Sequence, residues 1–232
     1  MKLRVALGIC ALVLLCGVVQ AQDPWKDKPY TEWNEEEVAK VMNDSPWSRQ
    51  VSVTASWKRT QSNRRTASGG RGSGAEPATI EDDAPQATYN VRWASAATIR
   101  RAFVRGSILR GRLKEEEATN FLSQQPEEYE IVVMGQDMYP FNGAEEAALL
   151  EKAFIKPKSG KLKLAPRRVK IDRAGPDRVR AVTFYFAKKT GSGEGVIPSG
   201  EKGVEFTCGA GGVGISTTFD PRKMVAAGNA DY

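Results

Sequence analysis

Residues 209–214 read Gly-Ala-Gly-Gly-Val-Gly, the G-x-G-x-x-G spacing with which dinucleotide-binding chains wrap a pyrophosphate. That chemistry needs the glycines to open a helix within a βαβ unit of about 30 residues. Residues 215–219 (ISTTF) instead carry a strand pattern, and 18 residues follow Gly214. The run is therefore expected to be a hairpin connection, and no cofactor is predicted from it.

Histidine is absent from the 232 residues. This removes Ser-His-Asp and Cys-His catalysis, histidine-ligated zinc and copper, and histidine pH switching. Three cysteines exclude a four-cysteine zinc site, and no metal site is predicted. An enzyme of this composition would rely on other groups, such as a glycosidase-type pair with one acid ionised and one protonated, about 5 to 9.5 Å apart. Among the 28 acids the sequence singles out Asp137, in the loop Gln136-Asp137-Met138-Tyr139-Pro140-Phe141. That loop holds no second acid, and no catalytic residue is assigned.

Arg100, Arg101, Arg105, Arg110 and Arg112, with Lys114, give one segment a basic character. At helical spacing Arg101, Arg105 and Arg112 share a face, and they are the candidate anion-binding residues. The competing reading is a solvated face neutralised by Glu115, Glu116 and Glu117. Arg167, Arg168, Lys170 and Arg173 form a second cluster, which strengthens the binding reading if it lies on the same side of the fold. Five tryptophans (Trp25, Trp33, Trp47, Trp57, Trp93) are enough for a sugar or peptide platform, but each sits at an apolar position or beside a helix stop, where core is expected.

The elements that must hold these residues follow from periodicity. Thr31 is expected to cap a helix over 32–42, stopped by Asn43-Asp44-Ser45-Pro46. Residues 51–57 and 89–93 alternate as strands. Ser95 is expected to cap a helix with Ile99, Ala102, Phe103, Gly106, Leu109 and Leu113 on its apolar face. Further helices are expected from 114 to before Pro126 and over 144–154, with a central strand over 129–134. Strands at 161–164, 169–172, 178–188, 204–208 and 215–219, separated by Pro and Gly punctuation, predict antiparallel sheet. A turn or short helix follows Asp220. Helices grouped early and strands late argue for an α+β class: a mostly antiparallel sheet of about six or seven strands with two to four helices.

Residues 1–21 read as a cleavable signal peptide: Lys2 and Arg4, an apolar run over 5–19, and Val19-Gln20-Ala21 as the cleavage site. Their removal leaves 32 basic residues against 28 acidic ones, a net charge of +4. It also leaves Cys208 alone, so no internal disulfide is expected and Cys208 is read as a buried apolar residue. No integral membrane segment is expected after cleavage. Residues 59–86, basic and Gly/Ser-rich and then acidic and Pro-bearing, are expected to form a disordered insertion within one domain over 22–232.

Lys28-Pro29-Tyr30-Thr31-Glu32-Trp33, Glu37-Val38, Asp44-Ser45-Pro46-Trp47, Arg92-Trp93-Ala94-Ser95-Ala96 and the segment 219–228 together resemble a family of uncharacterised exported bacterial proteins of the acidobacterial type. The opening also looks like the start of some GWxTD-domain proteins, although the GWxTD motif is absent from the chain. Neither resemblance implies an activity or a ligand. The expectation is an exported non-enzymatic protein of the periplasm or extracellular space, binding an anionic envelope component or a protein partner and not nucleic acid. The alternative is a carboxylate-dependent hydrolase of envelope or environmental glycans, with two acids facing each other across a groove.

Overall fold

The computed structural model describes residues 23–58, 85–160 and 162–232. The expected signal peptide at 1–21 and residues 59–84 of the expected insertion lie outside them. Gln86, at the insertion's expected end, opens a strand, and just before it the Pro85 carbonyl accepts from the Ala55 N–H at 2.6 Å.

Five strands, β1 (Ser48–Thr54), β2 (Gln86–Trp93), β3 (Glu128–Gly135), β6 (Val179–Ala187) and β5 (Arg168–Arg173), pair antiparallel in that spatial order. Three more, β4 (Phe154–Pro157), β7 (Val204–Ala210) and β8 (Val213–Phe219), form a second antiparallel sheet. A small hairpin joins β9 (Val225–Ala226) to β10 (Asn229–Ala230). The class is α+β, as periodicity predicts, with ten strands among the described residues shared between three sheets.

Alternation fixes which side chains the two larger sheets bury between them. Register places Trp93, Ile131, Phe184 and Val169 in one row and Val91, Val133, Val182 and Ile171 in the next. From the opposing sheet Phe206 meets Phe184 at 5.5 Å, and Phe219 meets Trp93 edge-on at 5.2 Å. Trp93, fully buried, also contacts the rings of Tyr129 and Tyr232. Cys208 is 1% exposed, as its place in an alternating strand implies, and burial pushes its thiol up to about 12.

The glycine-rich run is the β7–β8 hairpin. Ala210 pairs with Val213 across Gly211 and Gly212, whose φ values of 54° and 80° suit the tight turn that twisted strands prefer. A β-carbon on Gly211 would stand 2.8 Å from the Pro140 carbonyl oxygen, so the position excludes side chains twice over. Between this sheet and the loop before β5, the buried Glu201 carboxylate accepts hydrogen bonds from the Ser159 N–H and O–H and from the Lys202 and Gly203 N–H groups. Burial pushes this carboxyl up, but those donors together hold it below the ordinary range.

The helices depart from the sequence reading mainly at their ends. The chain enters through α1 (Pro24–Asp27) and a 3-10 turn that takes up Thr31, so α2 (Glu35–Asn43) is capped by Asn34 in a reciprocal box with Glu37. Trp25, Trp33 and Trp47 lock this segment down. Trp25 meets Trp47 edge-on at 5.8 Å, and the Trp33 indole N–H donates to the Pro24 and Lys28 carbonyls. Trp57 lies beyond β1 in a helical turn, not on the strand, and its indole N–H donates to Asp137 at 3.1 Å.

Helix α3 (Ala97–Leu109) is not capped by Ser95, whose hydroxyl is buried with no hydrogen-bond partner among the described residues. The Asp231 carboxylate caps it instead, accepting from the Ala97 N–H at 2.6 Å and the Thr98 N–H at 3.0 Å. Ile99, Ala102 and Gly106 are buried as expected, whereas Phe103 is 52% exposed and Leu109 is at the surface. Helix α4 (Glu115–Ser123) follows, then α5 (Tyr139–Asn142) and α6 (Glu146–Lys152), after which Phe154 starts β4 instead of ending a helix. Of the strand expected at 161–164, Lys161 lies outside the described residues and Leu164 makes a single bridge to Ile155. Among the described residues no helix is long and apolar enough to cross a membrane.

Asp231→Ala removes the acceptor for two helix-end N–H groups and is expected to lower unfolding free energy by about 1–2 kcal/mol in a denaturant titration. Asp231→Asn, which keeps one capping oxygen, is expected to lose less.

Candidate functional site

The face of the five-stranded sheet that does not meet β7 and β8 carries the alternate residues of each strand. On β2 and β3 these include Arg92, Glu130, Val132 and Met134, with Arg92 opposite Val132 and Glu130 opposite Tyr185 on β6. Helix α3 stands over this face and contributes Ile99, Arg100 and Phe103, while α4 and the residues after it contribute Phe121, Gln124, Gln125 and Pro126. Met42, near the end of α2, completes a cleft of about 480 Å³. The turn from β2 into α3 is pinned to β3, since the Ala94 N–H donates to the Glu130 carbonyl at 2.6 Å. The cleft therefore joins a rigid floor to a helical wall.

Arg92 is held by neutral groups. Its Nε donates to the Met42 carbonyl at 2.6 Å, one terminal nitrogen donates to the Asn43 side-chain oxygen at 3.0 Å, and the other contacts the Met134 sulfur at 3.1 Å. The guanidinium thus sits at the C-terminal end of α2, where the helix dipole favours a cation. Burial lowers its pKa, and among the described residues it makes no ion pair. Arg100 donates to the Phe121 carbonyl and lies 4.7 Å from the centroid of the Phe121 ring. Phe121 in turn meets Phe103 at 6.0 Å, so two exposed aromatic rings form the rim.

Glu130 is the half-buried acid of the cleft. Burial pushes its carboxyl up, Arg168 and Arg100 oppose that, Glu128 reinforces it and Lys188 opposes it. Glu128, two residues earlier on β3, is engaged by Arg168 at 3.0 Å. The pair thus lies side by side on one strand, not across a groove. Among the described residues no group of three or more His, Cys, Asp or Glu side chains is placed to hold a metal ion.

The residues singled out from sequence fall elsewhere. Arg101 lines a shallow groove with Trp25, Tyr30 and Ala226. Arg105, one turn on, donates to the Trp33 carbonyl at 2.7 Å. Arg112 lies in the turn beyond α3, where its N–H donates to the Ser107 carbonyl. Of the second basic cluster, Arg168 shares the cleft's side of the sheet, in line with Glu130 through Tyr185, and stacks 3.3 Å from the Tyr185 ring centroid. Arg173 is occupied by the Asn142 and Ala144 carbonyls. Asp137 is held by the Trp57 indole, the Tyr139 N–H and Lys58, and lines a polar groove that includes no other acid among the described residues. Sequence reading passed over Arg92, Glu130, Val132 and Met134. Period two alone puts them on the face opposite Trp93 and Ile131, and that second face is too apolar to be a simple solvent face.

A carboxyl pushed up by folding favours the protein at pH below its unfolded value, and that contribution is lost as pH rises through the folded value. Carboxyl NMR titration is expected to place Glu130 above the ordinary glutamate range. Glu130→Gln is expected to raise the unfolding midpoint at neutral pH, with the difference vanishing in acid.

Compared with protein-family models, with curated proteins and with solved structures, the chain has no match in any of the three.

Proposed function

We propose that this chain is an exported, non-enzymatic binding protein whose ligand site is the cleft between the outer sheet face and α3 and α4. The observation that carries the reading is the lining of that cleft. Apolar side chains from three helices, from β3 and from the segments after β2 and α4 surround about 480 Å³, with Arg92, Arg100, Glu130, Gln124 and Gln125 as the polar groups among them, and this is the composition and size of small-molecule sites. Hydrolysis by a carboxylate pair would need a second acid opposite Glu130. Its nearest charged neighbours are instead Arg168, Arg100 and Lys188, with Glu128 beside it and already paired.

Export rests on residues 1–21 and on the resemblance of the opening segment to exported bacterial proteins. It places the cleft in the periplasm or outside the cell, where an amphipathic envelope component is the available class of ligand.

Titration of the purified protein with the neutral fluorescent probe N-phenyl-1-naphthylamine is expected to show saturable binding. Val132→Trp, which fills the floor, is expected to weaken it by at least about tenfold while leaving the unfolding midpoint in place. Absence of saturable binding, or binding indifferent to this substitution, would remove the cleft as the site. Mass analysis of exported protein is expected to find Gln22 at the N-terminus.

A further inference from the structure

Two arginines and one glutamate are the charged groups of a mostly apolar cleft, and their balance selects a ligand charge. Arg92 is the decisive group. A half-buried guanidinium without an acid beside it is costly, and the three contacts it makes among the described residues are to a carbonyl, an amide oxygen and a thioether. Of its five N–H donors these contacts engage three, which leaves two for a ligand. Arg100 spends one donor on the Phe121 carbonyl and keeps the rest. Among the described residues Glu130 is the single acid of the lining, and it lies diagonal to Arg92 on the neighbouring strand. Two cations against one anion leave the lining positive, and Lys188 beside Glu130 adds to that field, so an anionic head is favoured. A cationic head would meet both guanidinium groups. The body of the ligand must match Met42, Ile99, Phe103, Phe121, Val132 and Met134, which are unbranched, branched and aromatic hydrophobes with no polar atom to satisfy.

We infer that the cleft takes a single-chain amphiphile with a monoanionic head, a fatty carboxylate, whose chain lies along the apolar floor and whose carboxylate is received by Arg92 and Arg100. A planar carboxylate suits guanidinium donors, which it can meet with two parallel hydrogen bonds. Glu130 works against this ligand through like charge, so its ionised form sets an upper limit on affinity. The groups that face Glu130 are Tyr185 and Arg168 across the sheet, Arg100 on α3, Lys188 at the end of β6, and Glu128 on its own strand. The inference rests on the cleft being a ligand site, and its test separates the two.

At pH 8 and below micellar concentrations, dodecanoate, dodecyl phosphate, glyceryl monolaurate and dodecyltrimethylammonium compete with bound N-phenyl-1-naphthylamine. Dodecanoate is expected to displace the probe at about tenfold lower concentration than the other three. Arg100→Gln, at a partly exposed side chain, is expected to cost dodecanoate about tenfold and monolaurate nothing, whereas Glu130→Gln is expected to strengthen dodecanoate several-fold. Arg92 is left intact because it also closes α2. Equal displacement by monolaurate, tighter binding of dodecyl phosphate or of the cation, or an Arg100→Gln loss shared by monolaurate would each overturn the carboxylate assignment while the cleft stands. Failure of the probe itself to bind would overturn both.

Discussion

Asp231 joins three distant parts of the chain. Its carboxylate takes the first two free N–H groups of α3, and its backbone carbonyl takes the Trp47 indole N–H at 2.5 Å. Trp47 precedes β1 and packs on Trp25, so one residue ties the entry segment, the start of α3 and the segment around Tyr232 to one another. Helix α3 has no side-chain cap of its own. Without Asp231 its first turn would leave buried N–H groups unpaired, an expensive state in a segment whose neighbours Ser95, Ala96 and Thr98 are all buried. The angle at which α3 leaves the sheet, and with it the height of the cleft wall, depends on this clamp.

The same sheet serves opposite purposes on its two faces. Toward β7 and β8 it offers aromatic and branched side chains that meet at ring distances and exclude water. Toward α3 and α4 it offers a strip where Val132 and Met134 are bracketed by Arg92 and Glu130. Charges on this face are tolerated because each has a partial substitute for water: the end of α2 and the Asn43 side chain for Arg92, and the field of Arg168 and Arg100 for Glu130. Neither is fully compensated, which is the condition of a surface that gains by contact with something else.

The strands and the hairpin were legible because their causes are local. Alternation over 89–93 and the apolar run over 129–134 mark pleated strands, and two consecutive glycines between strands specify a tight turn whatever the rest of the fold does. The caps were less so. Thr31 and Asn34 both suit a helix start, and the Glu three residues on, which closes the box with Asn34, decides for the latter. Ser95 sits where a cap belongs, yet the cap that forms comes from more than 130 residues away, which no local rule contains. The site was hardest for a related reason. One residue step on a helix turns a side chain by roughly 100°, so whether Arg100 or Arg101 faces the cleft depends on how α3 rolls against its neighbours. Arg92 and Glu130 lie 38 residues apart in the chain and draw no notice as a cluster until register lays their strands side by side.

Cys208 points to how the chain can be made. Its sulfur is sealed between the two sheets, with almost no thiolate at neutral pH. Mixed disulfides would require at least local opening, and no other cysteine lies between residues 22 and 232 to pair with it. The finished fold is thus indifferent to the redox poise around it. Folding of residues 22–232 calls on no disulfide-forming oxidant, and the vulnerable interval is the brief one before the sheets close, when the Cys208 thiol can still be captured by glutathione or by a second chain.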